Sequence, residues 1–158
     1  MLTSLNRLTG LPVVWRDKQV GWVERAVADV GAMRLNGLMV RRGIGGAKWV
    51  GREDVLLVGR QCVVLSQPPV RIRHRETPEV RRAVLTTGRP AGEVCDLIIY
   101  ADTLCVAALE VAQGPVYRLL GRCAYAPSCC QSSADEVVVP ELLSWTQLLT
   151  HLGEEEEG

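Results

Sequence analysis

Cys123, Cys129 and Cys130 fall within eight residues, and thiolates are good zinc ligands, so they are the first place to look for chemistry. The spacing is poor for a structural metal. Such sites take four ligands, commonly from paired C-x(2–4)-C knuckles, whereas this C-x5-C-C run needs a fourth ligand from Cys105, Cys95 or His151. No Lys or His adjoins Cys129 or Cys130 to lower a thiol pKa. They therefore read as loop or core cysteines, with metal sensing as an alternative and no cofactor required.

Catalysis finds little else to work with. The two histidines are His74 and His151, the first among Arg71, Arg73 and Arg75 and the second near a chain end. One falls in an expected linker and the other near the frayed end of an expected helix, so neither is well held and the chain is expected not to be an enzyme. The carboxylate pairs Glu53-Asp54 and Asp135-Glu136 are expected at equivalent places in a repeat, where they cap turns. Arg71, Arg73 and Arg75, with Arg41 and Arg42, could grip phosphate and release counterions, but no aromatic residue is interleaved among them for base stacking. Gly43-Ile44-Gly45-Gly46 lacks the Lys-Ser/Thr and helix start of a phosphate loop and reads as a hairpin tip. Among the four tryptophans, Trp49 and Trp145 are expected in the core. Trp22 falls where the repeat has Glu93, so it either packs in the ordinary way or faces outward as an anchor for a partner.

These residues ride on a chain built to fold. Of 158 residues 47% are apolar and 23% charged, which excludes disordered, collagen-like and supercharged classes. The longest apolar stretch, Leu97–Val111, is broken by Asp102 and Glu110 and falls short of the roughly 18 residues a membrane span needs. With no apolar leader at its start, the chain is expected in the cytoplasm with reduced cysteines. Its net charge of zero hides a split. Residues 1–89 carry 16 basic and 7 acidic groups, residues 90–158 carry 2 and 11. Such halves attract, within one chain or head to tail in a homodimer.

Short apolar, β-branched runs separated by turn residues predict strands at 11–15, 19–30, 34–40, 48–50 and 61–65, with a helical turn at 51–54 leading into 55–58. Asn36-Gly37 is ambiguous, a turn pair inside an expected strand. Further strands are expected at 84–86, 93–100, 104–111, 116–120 and 137–139. The period then changes. Leu142, Trp145, Leu149 and Leu152 predict an amphipathic helix from Pro140 to Leu152, ended by Gly153 and followed by a frayed acidic tail, 153–158. Pro68-Pro69 and alternating arginines mark 68–78 as a linker between domains 1–67 and 79–152. The fold class is all-β.

The two domains look like copies. A shift of 71 positions sets Gly21 on Gly92, Val23 on Val94, Val27 on Ile98, Leu35 on Val106, Leu38 on Leu109 and Val40 on Val111. Allowing seven more residues sets Thr9-Gly10 on Thr87-Gly88. Each copy reads as a β-meander curling shut.

On these residues the chain resembles the PRC-barrel family, the small β-barrel of the photosynthetic reaction centre H subunit and of the bacterial 16S rRNA maturation factor. The first half carries it in Leu8-Thr9-Gly10-Leu11-Pro12-Val13, Gly21-Trp22-Val23, Gly37-Leu38-Met39-Val40 and Trp49-Val50-Gly51-Arg52-Glu53-Asp54-Val55. The second keeps Thr87-Gly88-Arg89-Pro90, Gly92-Glu93-Val94-Cys95-Asp96 and Leu109-Glu110-Val111, then departs at 115–133. The resemblance implies two small PRC-type antiparallel β-barrels in tandem, with no catalytic residues. It also implies a non-enzymatic adaptor that binds a protein partner, for which Trp22, Arg41, Arg42, Arg71, Arg73 and Arg75 are the candidate residues. An RNA-binding or ribosome-assembly module is the alternative.

Overall fold

A computed structural model of the chain describes residues 1–71, 79–114, 119–120 and 123–157. The fold is mainly β, and the chain divides into two compact units. Unit 1 comprises Met1–Thr77 with Ile99–Cys105, and unit 2 Pro78–Ile98 with Val106–Gly158.

Unit 1 begins with β1 (Leu2–Ser4) and a single helical turn, α1 (Leu5–Leu8). Its half-barrel sheet contains β2 (Pro12–Trp15), β3 (Lys18–Asp29), β4 (Arg34–Arg41), β5 (Lys48–Gly51), β6 (Val55–Val58) and β7 (Val63–Leu65), in the order β5-β4-β3-β2-β7-β6. A 3-10 turn at Arg52–Asp54 carries β5 into β6. Neighbours are antiparallel except β2 and β7, paired in parallel through Val13–Val63 and Trp15–Leu65. Leu8, Val13, Leu35, Leu38, Val50, Val58 and Val63 fill the interior. Gly37 continues β4 opposite Val27 and Gly51, which resolves the Asn36-Gly37 ambiguity in favour of strand.

Unit 2 repeats the path. β8 (Arg82–Leu85), β9 (Pro90–Tyr100), β10 (Val106–Ala112), β11 (Ala124–Ala126), β12 (Cys130–Gln131) and β13 (Glu136–Val139) run β11-β10-β9-β8-β13-β12. Each strand of unit 1 from β2 onward thus matches the strand six places later, and β8 pairs in parallel with β13 as β2 does with β7. The copies coincide most closely at Gly21 and Gly92, whose φ angles are 153° and 138°. A Cβ at either would strike backbone carbonyl oxygen, of Arg41 and of Ala112 respectively, residues again 71 apart. Close approach of a neighbouring strand there demands glycine.

Several expectations need correction. Thr87-Gly88 does not match Thr9-Gly10, because it lies in the β8–β9 hairpin, whose counterpart in the β2–β3 hairpin is Arg16-Asp17. The first turn has two central residues, with φ of 49° and 63°. The second has three, closed by Gly88 at φ 86°, its N–H donating to the Leu85 carbonyl. One inserted residue, accommodated by a glycine turn, replaces the supposed gap of seven. Likewise Glu53-Asp54 precedes β6 whereas Asp135-Glu136 leads into β13, the counterpart of β7, so the two pairs are not equivalent.

The second domain does not run unbroken from 79 to 152. The segment Ile99–Cys105 belongs to unit 1, where Leu35 N–H donates to the Leu104 carbonyl (2.8 Å), Ala101 N–H to the Met1 carbonyl (2.9 Å) and the Arg52 guanidinium to the Thr103 carbonyl (2.8 Å). The C-terminal helix α2 spans Trp145–Glu157, not Pro140–Leu152. Ser144 and Gln147 form a reciprocal cap: Gln147 N–H donates to Ser144 Oγ (3.2 Å) and Ser144 N–H to Gln147 Oε1 (2.9 Å). This S-x-x-Q box outweighs Pro140 as the start signal. Glutamate favours helix over Gly153's tendency to stop it, so the acidic tail continues α2. Leu148 and Leu152 bury its inner side. Trp145 is 41% exposed rather than in the core, its ring 5.1 Å from that of Tyr125. The strand expected at 116–120 falls largely outside the described residues, as does most of the 68–78 linker.

Candidate functional site

The chemistry gathers on unit 2. Cys95 on β9, Glu110 on β10 and Cys123, the residue entering β11, bring one sulfur or carboxylate oxygen each to within 4.8 Å of one another, and all three side chains are half-buried. The ladder accounts for this. Val111 pairs with Ala124 and Glu110 with Tyr125, which places Cys123 one residue beyond the paired segment. On the other side of β10, the Cys95 thiol donates to the Glu110 carbonyl (3.4 Å). Glu110 is the one charged residue of Val106–Ala112, and the other six are apolar and buried.

Tyr125 borders the cluster. Burial first, then the negative charge of Glu110, Cys123, Cys95 and Asp96, pushes its phenol up to about 12. At neutral pH it is a neutral hydroxyl.

The cysteine triplet read from spacing is not the one the fold assembles. Among the described residues, Cys129 and Cys130 join no group of three converging metal-ligand side chains. Burial, aided by Cys130, pushes the Cys129 thiol up to about 11 and keeps it protonated at neutral pH. Cys105 lies in unit 1 beside Arg52. His151 lies on α2, along a shallow groove with Glu141 and Gln147. Glu110 was legible as an isolated charge in an apolar strand. Cys123 and Cys95 were legible as candidate ligands as well, but their convergence on Glu110 was not, because β11 lies within the 115–133 stretch where the repeat pattern lapses.

Of the residues proposed for a partner, Trp22 and Arg41 face each other across the β3–β4 ladder. Trp22 is 48% exposed on β3. Opposite it, Arg41 is committed: Nε and Nη2 donate to Glu24 Oε1 (2.8 and 2.6 Å) and Nη1 to the Gly45 carbonyl (3.0 Å). Arg42 and Arg71 are exposed, whereas Arg73 and Arg75 lie outside the described residues, as does His74.

Sequence reasoning missed a feature of unit 1. Among the described residues the edge strand β6 pairs on one side only, with β7, and its Leu56 and Leu57 are 67% and 57% exposed. The opposite edge is covered, because Trp49 on β5 exchanges two backbone hydrogen bonds with Val70 (2.7 and 2.9 Å). Among the described residues no helix is long and apolar enough to cross a membrane. No known family model matches this chain, and no curated protein does.

Proposed function

We propose that this chain is a cytoplasmic, bacterial, non-enzymatic adaptor built from two PRC-type barrels, and that it takes a protein partner on the β6 edge of unit 1. The observation that carries the reading is the pair of outward leucines on a strand whose outer edge has no strand partner among the described residues. Exposed edges with apolar side chains invite another strand, and proteins ordinarily protect them with charge, proline or cover. A partner segment adding to β6 would gain main-chain hydrogen bonds for affinity and side-chain contacts at Leu56 and Leu57 for specificity. Trp22 offers a second, separate anchor of the kind that dominates interfaces. The RNA reading draws less support, since the Glu24 carboxylate already neutralises Arg41 and leaves fewer guanidinium groups for phosphate.

The test compares captured proteins. Wild-type chain and the double variant Leu56→Glu, Leu57→Glu are used as baits at equal loading, after circular dichroism shows both folded. A partner retained by the first and lost by the second is expected. Identical capture profiles would refute docking at β6, and RNA retained by both baits at low salt would favour the alternative.

A further inference from the structure

We propose that Cys95, Glu110 and Cys123 form a binding site for zinc, with two thiolates and one carboxylate on the metal. The distances suit it. A tetrahedral centre with metal–sulfur bonds of about 2.3 Å and metal–oxygen bonds of about 2.0 Å sets its ligand atoms roughly 3.5–3.8 Å apart. The three ligand atoms already lie within 4.8 Å of each other, so side-chain rotations close the remainder. Their supports are neighbouring backbone segments, β9, β10 and the start of β11, with the β10–β11 ladder setting the separation of Glu110 and Cys123.

The donor set selects the ion. Magnesium and calcium prefer all-oxygen sites, whereas two sulfurs favour zinc or another thiophilic metal. Zinc binding requires thiolates, so each thiol passes its proton to solvent, and the Cys95 hydrogen bond to the Glu110 carbonyl gives way to coordination. Among the described residues no Lys or Arg forms an ion pair with Glu110, which leaves its carboxylate available to a cation. Three protein ligands leave a fourth tetrahedral position for water or an incoming ligand.

Unit 1 provides an internal control. Strand matching sets Glu24, Met39 and Ala47 at the places of Cys95, Glu110 and Cys123. No thiol is present there, and Glu24 already holds Arg41. The same backbone patch thus has metal-binding chemistry in one copy and an ion pair in the other.

Cobalt(II) serves as the probe. The full-length chain, purified under reducing conditions and stripped with a chelator, is expected to bind one cobalt with sulfur-to-metal charge-transfer absorption that zinc abolishes. Cys95→Ser and Cys123→Ser should each weaken binding by more than about 100-fold, the upper range for loss of an outer-shell partner. Glu110→Gln, of the same shape, should weaken it as well, and Cys130→Ser should leave it unchanged. A readout independent of variants is alkylation of the wild-type chain, in which zinc is expected to protect Cys95 and Cys123 while Cys130 stays reactive. Absence of the charge-transfer band, its survival in the Cys95→Ser, Cys123→Ser double variant, equal alkylation with and without zinc, or a Cys95–Cys123 disulfide that persists through the reducing purification would each overturn the site.

Discussion

The two half-barrels share a backbone path and differ in what they carry on it. Val13 and Ala83, Leu38 and Leu109, Val40 and Val111, and Val63 and Val137 are matched and buried, and Gly21 and Gly92 admit the same close strand crossing. Between these positions the copies part. Unit 1 places Glu24, Met39 and Trp49 where unit 2 has Cys95, Glu110 and Tyr125. Unit 1 has a four-residue apolar edge strand, β6, with Leu56 and Leu57 exposed, whereas the corresponding β12 has two residues, Cys130 and Gln131. Core and crossing positions are tied to the backbone by volume and sterics. The positions between them were free to acquire separate chemistries.

Breaking the shared part should give the largest effects. Leu38→Ala and Leu109→Ala, each removing a side chain with 0% exposure, are expected to cost about 2–5 kcal/mol apiece. Denaturant titration measures the loss, and hydrogen exchange assigns it to a unit. Next in size, Gly21→Ala and Gly92→Ala should each cost about 1–3 kcal/mol from the strained φ, with the clash against carbonyl oxygen adding to it. If the copies are equivalent the two glycine variants lose similar amounts. Tolerance at one position with collapse at the other would show that the strand crossing differs despite its matching geometry.

How much of this was legible depended on the length of each element and on its share of β-branched residues. β3, β4 and β10 were foreseeable because seven or more residues of β-branched and apolar pattern lie between turn signals. The 3-10 turn and β6 were legible too, from charged residues ahead of Val55–Val58. β1, α1, β11 and β12 have at most four residues each and contain no Val, whereas the equally short β2, β5, β7, β8 and β13 each carry Val and stood out by it. The metal-ligand cluster failed to appear for the same reason. Cys95 and Glu110 were visible as polar points on strands, but Cys123 reaches them only through the register of a three-residue strand. Spacing along the chain instead favoured Cys129 and Cys130, which are near Cys123 in sequence and outside its cluster.

A smaller effect separates the units at α2, which has no counterpart among the strands they share. Ser144→Ala removes the hydroxyl that caps Gln147 N–H and should cost about 1 kcal/mol. Hydrogen exchange should show the loss in α2 and in the β11 backbone that exchanges hydrogen bonds with Leu143, leaving unit 1 protected. Loss spread evenly over both units would mean that they unfold as one.

The smallest expected effect is a pH dependence from Tyr125 and Cys129 of unit 2. Tyr125 has its phenol raised from 10.0 to about 12, so the folded chain holds a proton that the unfolded chain releases earlier. The stabilisation from this difference is fully present below pH 10 and is lost as the pH rises towards 12. Cys129, raised from 9.0 to about 11, adds a loss of the same sign beginning near pH 9. Trp49 stands in place of Tyr125 in unit 1 and does not titrate, so the matched position there makes no such contribution. Tyr125→Phe should flatten the upper part of the alkaline slope and Cys129→Ser the lower part, as followed by denaturant titration at successive pH values. If Tyr125→Phe leaves the slope between pH 10 and 12 unchanged, then burial of the Tyr125 ring, aided by the negative charge of Glu110, Cys123, Cys95 and Asp96, does not hold the phenol proton.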